Sequence, residues 1–197
     1  MRIIGITGGS GAGKSTVLKA LMKIGAKTLD CDEVYHDLLI NNVEMTAEID
    51  AHFKGVSDNG KIDRKKLGEI VWRDPASLQD LNDITHKYIS HEIDRQINEF
   101  RKQGEHTVAI DAIALIESGQ SKKCEDVIGV LAPVEKRISR IMERDGLTKT
   151  QAEMRINAQK PDSFFRLNCS HILENDLDTL KEFENKCDEY FSIYKGD

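Results

Sequence analysis

The sequence contains few of the signals that mark metal-binding, secreted or membrane proteins. Its four cysteines are far apart, with no C-x-x-C pair and no close Cys/His spacing, so we expect neither a zinc site nor a disulfide framework. No apolar run approaches the roughly 18 residues that a membrane-spanning helix needs, and no charged-then-apolar leader precedes the first predicted strand. The sequence therefore predicts a cytoplasmic protein with free thiols and no membrane partner.

A surplus of positive charge is also missing. The 197 residues include 28 lysines and arginines against 34 aspartates and glutamates, which gives a formal net charge of -6. A surface that binds a phosphate backbone needs the opposite balance, so nucleic acid is not an expected partner. With 39% hydrophobic and 31% charged residues, the chain has the composition of a globular protein. We expect a monomer that acts on small molecules, with self-association left open.

Short apolar segments alternate with amphipathic ones along much of the chain. Five segments have the length and composition of buried strands, at residues 2–7, 26–29, 107–111, 126–131 and 170–173. Helices are predicted between and after them, at residues 15–24, 133–144 and 177–194. This alternation predicts an α/β fold of three layers, in which helices cover both faces of a parallel sheet.

Two segments interrupt the alternation. Residues 33–104 are mostly helical in pattern and rich in charge, with a turn at 58–60; we predict a helical substrate-binding insertion without a core of its own. Residues 145–168 are polar and carry arginines, which is typical of a lid. A single domain is predicted, whose core comprises residues 1–32, 105–144 and 169–197.

One motif indicates phosphate chemistry. Residues Gly8–Ser15 match G-x-x-x-x-G-K-[ST] between a predicted strand and a predicted helix. The glycines let the backbone curl so that its N–H groups point at phosphate oxygens, and the helix adds the positive end of its dipole. Lys14 is placed to reach the outer phosphates, and the Ser15 hydroxyl to bind Mg²⁺. A flexible glycine-rich turn is the alternative, but the flanking elements favour an ATP-binding loop.

The predicted contacts of ATP in this loop are Gly9, Ser10, Gly11, Ala12, Gly13, Lys14, Ser15 and Thr16. Beyond the loop, Arg137, Arg140 and Arg144 stand at i, i+3 and i+7 and share one predicted helical face. Flanking charged residues predict that Arg137 is exposed. Arg140 and Arg144 are predicted to bind polyphosphate and to stabilise transition-state charge, with a solvated surface as the alternative. The lid segment adds Arg155, Gln159 and Arg166.

Three carboxylates follow predicted strands. Asp30 and Asp32 stand two residues apart after the second strand, so we expect both to face the same way. A kinase that phosphorylates an alcohol needs a carboxylate to orient the acceptor hydroxyl and take its proton. We favour Asp32 for this catalytic role, with a helix cap as the alternative. Asp111 ends the third strand, where a carboxylate can act on Mg²⁺ through water; an ordinary turn residue is the alternative.

A GTP-dependent switch is the rival from another class of protein. Asn185–Asp188 spells N-K-x-D, which reads guanine when it ends a buried strand. Here it lies in a helical pattern, and a D-x-x-G at Asp126–Gly129 begins its strand instead of ending it. We interpret both matches as accidental.

Taken in order along the chain, these residues resemble the dephospho-coenzyme A kinases. The resemblance covers nearly the whole chain and rests on the following segments: Ile6–Gly9 with Gly13–Thr16, Asp30–Asp32, Gly60 with Asp63, Arg64 and Leu67, Ile70–Trp72, Leu81–His86, Asp111 with Leu115–Gly119, and Arg140–Leu147 with Ala152, Arg155, Ile156 and Gln159. Together they are far more specific than the phosphate loop alone.

The resemblance implies transfer of the ATP γ-phosphoryl group to the ribose 3′-hydroxyl of dephospho-coenzyme A, the last step of coenzyme A synthesis. It implies a P-loop kinase fold, similar to the nucleoside monophosphate kinases, with a helical substrate region and a lid. Its expected cofactor is Mg²⁺ with ATP. By the same resemblance Asp32 is the catalytic base, assisted by Lys14 and Arg140, and ATP is also bound by Arg144. Substrate contacts are implied for Asp30, Arg64, His86 and Asp111.

The sequence departs from the family pattern at four places. His36 stands where an arginine is usual, and Lys87 where a proline is usual. Ile113-Ala114 replaces Pro-Leu, and Cys169–His171 replaces an Ala-Asp-aromatic triplet, whereas Asn175 is retained. A kinase for another small alcohol, such as a nucleoside, a nucleotide or a shikimate-like acceptor, is the second interpretation within enzymes.

Overall fold

The computed structural model describes residues 1–58 and 60–194. They divide into two compact units, one of Met1–Leu29 with the described residues from Phe100 onward, and the other of Asp30–Glu99. Each unit is described in turn below. No helix in the described ranges is long and apolar enough to cross a membrane.

Seven strands and nine α-helices are assigned within the described residues. The strands are β1 (Arg2–Thr7), β2 (Lys27–Asp30), β3 (Ser57–Asp58), β4 (Lys61–Ile62), β5 (Thr107–Asp111), β6 (Asp126–Leu131) and β7 (His171–Glu174). The helices are α1 (Lys14–Lys23), α2 (Cys31–Asn41), α3 (Val43–His52), α4 (Arg64–Arg73), α5 (Pro75–Lys102), α6 (Val134–Asp145), α7 (Lys149–Asn157), α8 (Asp162–Asn168) and α9 (Leu180–Phe191).

The first unit contains a five-stranded sheet in the order β2-β5-β1-β6-β7. Strand β1 lies centrally and pairs in parallel with β5 and β6, and β6 pairs in parallel with β7. Helices flank this sheet, and the predicted α/β fold is confirmed. The register places Ile6 beside Asp111, the last residue of β5, and Thr7 beside Gly129, two residues before the end of β6, so the segment after Thr7 leaves the sheet on the side of the strands' carboxyl ends. Ligands of parallel α/β sheets bind at that edge.

The core of this unit lies between the sheet and two of its helices. Ile4 and Ile6 of β1 are fully buried against α1, which contributes Val17 and Leu21, and against α9, which contributes Phe183. Burial of each such side chain stabilises the fold by about 1.5–3 kcal/mol. The core therefore fixes both elements that hold the phosphate loop, namely the strand before it and the helix after it.

Most predicted boundaries agree with the structure to within one residue, and the closing helix is the exception. It begins at Leu180, not at 177, because Thr179 caps it: the Thr179 hydroxyl accepts from the Glu182 N–H, and the Glu182 carboxylate accepts from the Thr179 N–H. At the other end, Ser192–Tyr194 forms a 3₁₀ turn. Gly25 follows the end of α1 with φ of 91°, as predicted for a glycine beyond a helix end.

The second unit is helical, with a short antiparallel pair formed by β3 and β4. Ser57 pairs with Ile62 and Asp58 with Lys61; the predicted turn at 58–60 includes Asn59, which lies outside the described residues. The expectation that this segment lacks a core is wrong. A cluster of buried side chains from α2, α3, α4, α5 and the segment after α3 packs together, and it comprises Val34, Leu38, Leu39, Met45, Ile49, Phe53, Val56, Leu67, Leu81 and Ile84.

The predicted lid segment contains α7 and α8. Helix α7 begins with a capping box between Thr148 and Gln151 and packs on α6 through a small apolar cluster of Ile138, Ile141, Ala152 and Ile156. The segment is thus attached to α6 by side-chain packing as well as by the chain.

Candidate active site

The phosphate loop needs its glycines for reasons of space and of backbone conformation. Gly8, Gly11 and Gly13 have φ of 139°, 76° and 112°, in the range that side-chain-bearing residues rarely adopt. A Cβ on Gly8 would lie 2.2 Å from the Val130 carbonyl oxygen on the neighbouring strand. The backbone therefore requires glycine at these three positions, and at Gly8 the neighbouring strand also leaves no room for a side chain.

Helix α1 starts directly after this loop, and its N-cap residue has no side chain to cap it. Gly13 is the N-cap residue, no side chain caps the helix, and the first turn carries no acidic residue. Because the first N–H groups of a helix have no partners within it, and its dipole is positive there, this end favours an anion. Ser15 lies exposed in that first turn, and the Lys14 ammonium is 3.2 Å from the Gly8 carbonyl oxygen, across the loop.

Three side chains hold the outer side of the loop. Arg137 Nε donates to the Ser10 carbonyl at 3.0 Å, Arg140 Nη1 to the Gly11 carbonyl at 3.1 Å, and Asn175 Nδ2 to the Ala12 carbonyl at 2.8 Å. Arg140 Nη2 also donates to Asn175 Oδ1 at 3.2 Å, which connects two of the three donors.

This anchoring determines where the loop N–H groups point. All peptide bonds described here are trans, and in a trans peptide the C=O and the following N–H point in opposite directions. Since the carbonyls of Ser10, Gly11 and Ala12 are bound on the outside, the N–H groups that follow them point the opposite way. The Ala12 N–H closes the turn by donating to the Gly9 carbonyl at 3.2 Å, so the N–H groups of Gly11 and Gly13 are the ones directed at the concave side, where phosphate oxygens can bind.

The prediction that Arg137 is exposed is wrong. The predicted exposed residue is 4% exposed and reaches the loop, Gln159 at 2.8 Å and Asp162 at 3.7 Å. Burial lowers the pKa of its guanidinium, and the Asp162 carboxylate opposes that change; an arginine nevertheless stays charged at neutral pH. The missed signal was the buried stripe of α6: Ile138 and Ile141 mark it, and Arg137 lies beside it.

The other two arginines of α6 have different surroundings. Arg140 is half-buried on the Gly11 carbonyl, and burial lowers the pKa of its guanidinium. Arg144 is exposed and pairs with Asp145 at 2.7 Å; Arg155 contacts the same carboxylate. Hydrogen bonds, the one from Arg144 first, lower the pKa of Asp145 to about 2. The structure thus brings Arg140 to the loop and places Arg144 in a separate ion cluster with Arg155 of α7, within the predicted lid segment.

Asp111 occupies the predicted strand end in the first unit. It is half-buried as the last residue of β5, beside Ile6 of β1, which is two residues before Gly8. The backbone continues this contact, since the Ala112 N–H donates to the Ile6 carbonyl at 3.2 Å. Within the described ranges, no group of three or more His, Cys, Asp and Glu side chains is arranged to hold a metal ion.

Asp30 and Asp32 are arranged differently from the prediction, within the second unit's first helix. Asp30 is the N-cap of α2 and its Oδ1 accepts from the N–H groups of Asp32 at 2.8 Å and Glu33 at 3.2 Å. The period-two argument is wrong because Asp32 is already helical. The alternative that Asp32 is the cap is also wrong. Its exposed carboxylate is therefore not used to start the helix.

Arg64 and His86 lie on different helices of the second unit. Arg64 begins α4 after the Asp63 cap, and its Nη2 donates to His36 Nε2 at 2.8 Å. Because arginine is only a donor, the imidazole accepts at Nε2 and carries its proton at Nδ1 in this arrangement. His86 is half-buried in α5.

Comparisons with known proteins give matches that cover most of the chain. A family model described as Dephospho-CoA kinase matches residues 2–181. A Dephospho-CoA kinase of Dehalococcoides mccartyi is 39% identical over 164 residues, which is 83% of each chain, and one of Geobacter sulfurreducens is 32% identical over 98% of each. The solved structure of a dephospho-CoA kinase from Campylobacter jejuni superimposes with a TM-score of 0.70 at 26% identity, over 99% of this chain and 98% of that one.

This chain belongs to the dephospho-CoA kinase family. The predicted resemblance, kinase class and P-loop kinase fold are confirmed at this level. The family catalyses the final step of coenzyme A biosynthesis, and its kinase activity implies ATP as the nucleotide substrate.

The positions of the two GTPase-like motifs support the interpretation that both matches are accidental. Asn185–Asp188 lies inside α9, where Cys187 is buried and Asp188 forms a surface ion pair with Lys23 at 2.7 Å. Asp126 begins β6, as predicted. Neither segment has the strand-end position that guanine recognition requires.

Three departures from the family pattern have a structural explanation. Lys87 pairs with Glu48 at 2.7 Å on the surface of the second unit. Ile113 contributes its backbone carbonyl, which accepts from the Thr7 hydroxyl at 3.0 Å, a contact that another side chain would preserve. Ser170 Oγ accepts from the Val127 N–H at 3.1 Å and so ties the start of β6 to the residue before β7. The fourth, His36, is the acceptor of Arg64 described above.

Proposed function

We propose that this chain transfers the γ-phosphoryl group of ATP to the ribose 3′-hydroxyl of dephospho-coenzyme A. The observation that carries the proposal is the anchored phosphate loop, in a chain that the family model matches from residue 2 to residue 181. Phosphoryl transfer requires mainly positioning and charge stabilisation from the protein. The loop is suited to both.

The residues of the first unit bind the donor in this proposal. The loop N–H groups and the end of α1 receive the phosphate oxygens, and Lys14 neutralises the outer phosphates as a mobile point charge. Arg140 acts from the Gly11 carbonyl, where it shapes the loop and adds positive charge. Arg144 approaches polyphosphate only after leaving Asp145, so its predicted role requires the lid segment to rearrange.

Magnesium fits the same end of α1. The donor set available there is a hydroxyl, from the exposed Ser15, and a hard divalent cation takes oxygen ligands. Asp111 supplies a nearby half-buried carboxylate on the strand beside β1. Magnesium held there with the nucleotide supplies charge neutralisation between the phosphates.

The second unit supplies the acceptor side in this proposal. Asp32 orients the acceptor hydroxyl and takes its proton as the phosphoryl group arrives. Asp30 fixes the first turn of α2 and thereby the position from which Asp32 acts. Arg64 and His86 bind the substrate, and Asp30 and Asp111 are proposed to contact it as well. A monomeric, cytoplasmic enzyme remains the prediction.

The decisive experiment is a coupled assay of ADP release with the full-length chain, ATP and Mg²⁺. We expect turnover with dephospho-coenzyme A and none above background with a panel of nucleosides, adenylates and shikimate. The product is identified by mass spectrometry and by loss of the 3′-phosphate on treatment with a 3′-nucleotidase. Turnover with another alcohol and none with dephospho-coenzyme A would overturn the proposed acceptor and leave a P-loop kinase of different specificity.

A further inference from the structure

Every polar group of Ser10 is bound by one pair of side chains. Gln159 Oε1 accepts from the Ser10 N–H at 3.0 Å, and Gln159 Nε2 donates to the Ser10 hydroxyl at 2.7 Å. Arg137 Nε donates to the Ser10 carbonyl at 3.0 Å, and Arg137 Nη2 donates to Gln159 Oε1 at 2.8 Å. The three residues thus form a closed hydrogen-bonded ring at the beginning of the loop.

The ring is tightly packed and contains a buried cation. Arg137 is 4% exposed, and its Asp162 partner is 3.7 Å away. A Cβ built on Gly9 would lie 2.1 Å from Arg137 Nη2 and 2.8 Å from Gln159 Oε1. A buried charge is tolerated only while its hydrogen bonds are made, so the guanidinium favours one arrangement of the Ser10 carbonyl and of the Gln159 amide.

Gln159 belongs to the lid segment. It follows α7, and its N–H donates to the Ile156 carbonyl at 3.0 Å. Ile156 is one of the side chains through which α7 packs on α6. Gln159 is therefore connected to Ser10 by its side chain and to α7 by its backbone.

We propose that Arg137 and Gln159 are positioning residues for ATP, which hold the phosphate loop in its binding shape and connect its state to the lid helix α7. The proposal rests on the proposed role of the loop in binding ATP. It assigns the pair no contact with substrate; both residues act through Ser10.

The pair is tested by separating the effects on ATP from those on the acceptor. Gln159→Leu removes all three hydrogen bonds of the side-chain amide and leaves a side chain of similar size. Since three hydrogen bonds that hold the loop are lost together, we expect KM and Kd for ATP to rise about tenfold or more. We expect KM for dephospho-coenzyme A to stay within about twofold of the wild-type value, because that substrate does not depend on Ser10.

Two milder single variants and one double variant test the same contacts in case Gln159→Leu does not fold. Ser10→Ala removes only the hydroxyl contact and is expected to raise KM for ATP about two- to threefold. Arg137→Lys keeps the charge but loses the fixed fork, and its effect should fall between those of the wild type and Gln159→Leu. In the Ser10→Ala/Gln159→Leu double variant the increase should be smaller than the product of the single increases, because both changes break one shared bond.

The lid connection has its own readout. Hydrogen exchange of α7 amides is measured with and without ATP. We expect ATP binding to protect these amides in the wild type and to protect them little, at the same saturation, in Gln159→Leu.

Arg95→Gln is the control for the kinetic measurements, because Arg95 is an exposed arginine with ion pairs to Glu92 and Glu99 at 2.6 Å. The KM values of this variant for both substrates should equal those of the wild type.

Three results would contradict the inference: unchanged KM for ATP in Gln159→Leu, an equal rise of both KM values, or additive effects in the double variant. Direct ATP binding by the wild-type chain, measured by calorimetry without acceptor, separates this inference from the proposed function. If the wild-type chain binds no ATP, both the proposed ATP site and this inference are wrong. If it binds ATP but does not phosphorylate dephospho-coenzyme A, only the proposed acceptor is wrong.

Discussion

Asn175 lies far from the phosphate loop in sequence, yet its removal should weaken both the fold and the nucleotide site. The side chain is 4% exposed, donates to the Ala12 carbonyl at 2.8 Å and accepts from Arg140 at 3.2 Å. Asn175→Leu keeps the approximate volume and deletes both bonds. Ala12 is 1% exposed, so water cannot replace the lost donor without a structural change.

The expected destabilisation follows from these contacts. A buried carbonyl left without a partner costs about 1–3 kcal/mol, and a hydrogen bond from a charged group contributes about 1.5–3 kcal/mol. Arg140 retains the Gly11 carbonyl at 3.1 Å, so the second loss is only partial. We expect the free energy of unfolding to fall by about 2–4 kcal/mol, which for a chain of this size lowers Tm by about 5–15 °C.

Urea unfolding followed by circular dichroism measures this change, and ATP titration measures its consequence for binding. Asn168→Leu is the matched control, because Asn168 donates to the Phe164 carbonyl at 2.8 Å but is exposed. That substitution should change stability by less than about 0.5 kcal/mol. If Asn175→Leu is no more destabilising than the control, or leaves ATP affinity intact, the argument that outside anchors shape the loop is refuted.

Three further predictions concern the reaction and the thiols. Lys14→Ala should raise KM for ATP and lower kcat together, and unaltered kinetics would contradict the loop assignment. Asp32→Asn should leave ATP binding within about twofold while kcat falls about 10²–10⁴-fold; near-normal turnover removes Asp32 from the base role. Burial raises the pKa of Cys124 and Cys187 to about 12, so less thiolate is present at pH 8. Alkylation of these two cysteines by iodoacetamide should therefore be much slower in the folded chain than in urea. Equal rates at both residues, measured by mass spectrometry, would contradict this prediction.

The local features of the active site could be predicted because their signals are local. The strand Arg2–Thr7, the glycine loop and the helix after it follow one another within the first 23 residues, and each has a pattern of its own. The sequence also predicted that Asp111 ends a strand. What a contiguous segment encodes, such as backbone freedom and a helix start, can be deduced from that segment.

The support around the loop could not be deduced in this way. Arg137 was predicted to be exposed because Glu135 and Lys136 are charged, but its orientation depends on what α6 packs against. The cap at Asp30 does have a local sequence signal, because the D-x-x-E pattern of Asp30 and Glu33 is typical of a helix start. The core of the second unit was not predicted because its members come from four helices and the segment after α3, each of which contributes only a few buried side chains.

The anchoring of the loop carbonyls has a consequence for protein engineering. The donors to Ser10, Gly11 and Ala12 are 127, 129 and 163 residues further along the chain. An eight-residue loop transplanted between a strand and a helix of another scaffold would bring the glycines and the lysine but none of this support. Its N–H groups would have to be ordered by the phosphate itself, at the expense of affinity. The transferable unit is the loop with its three distant donors.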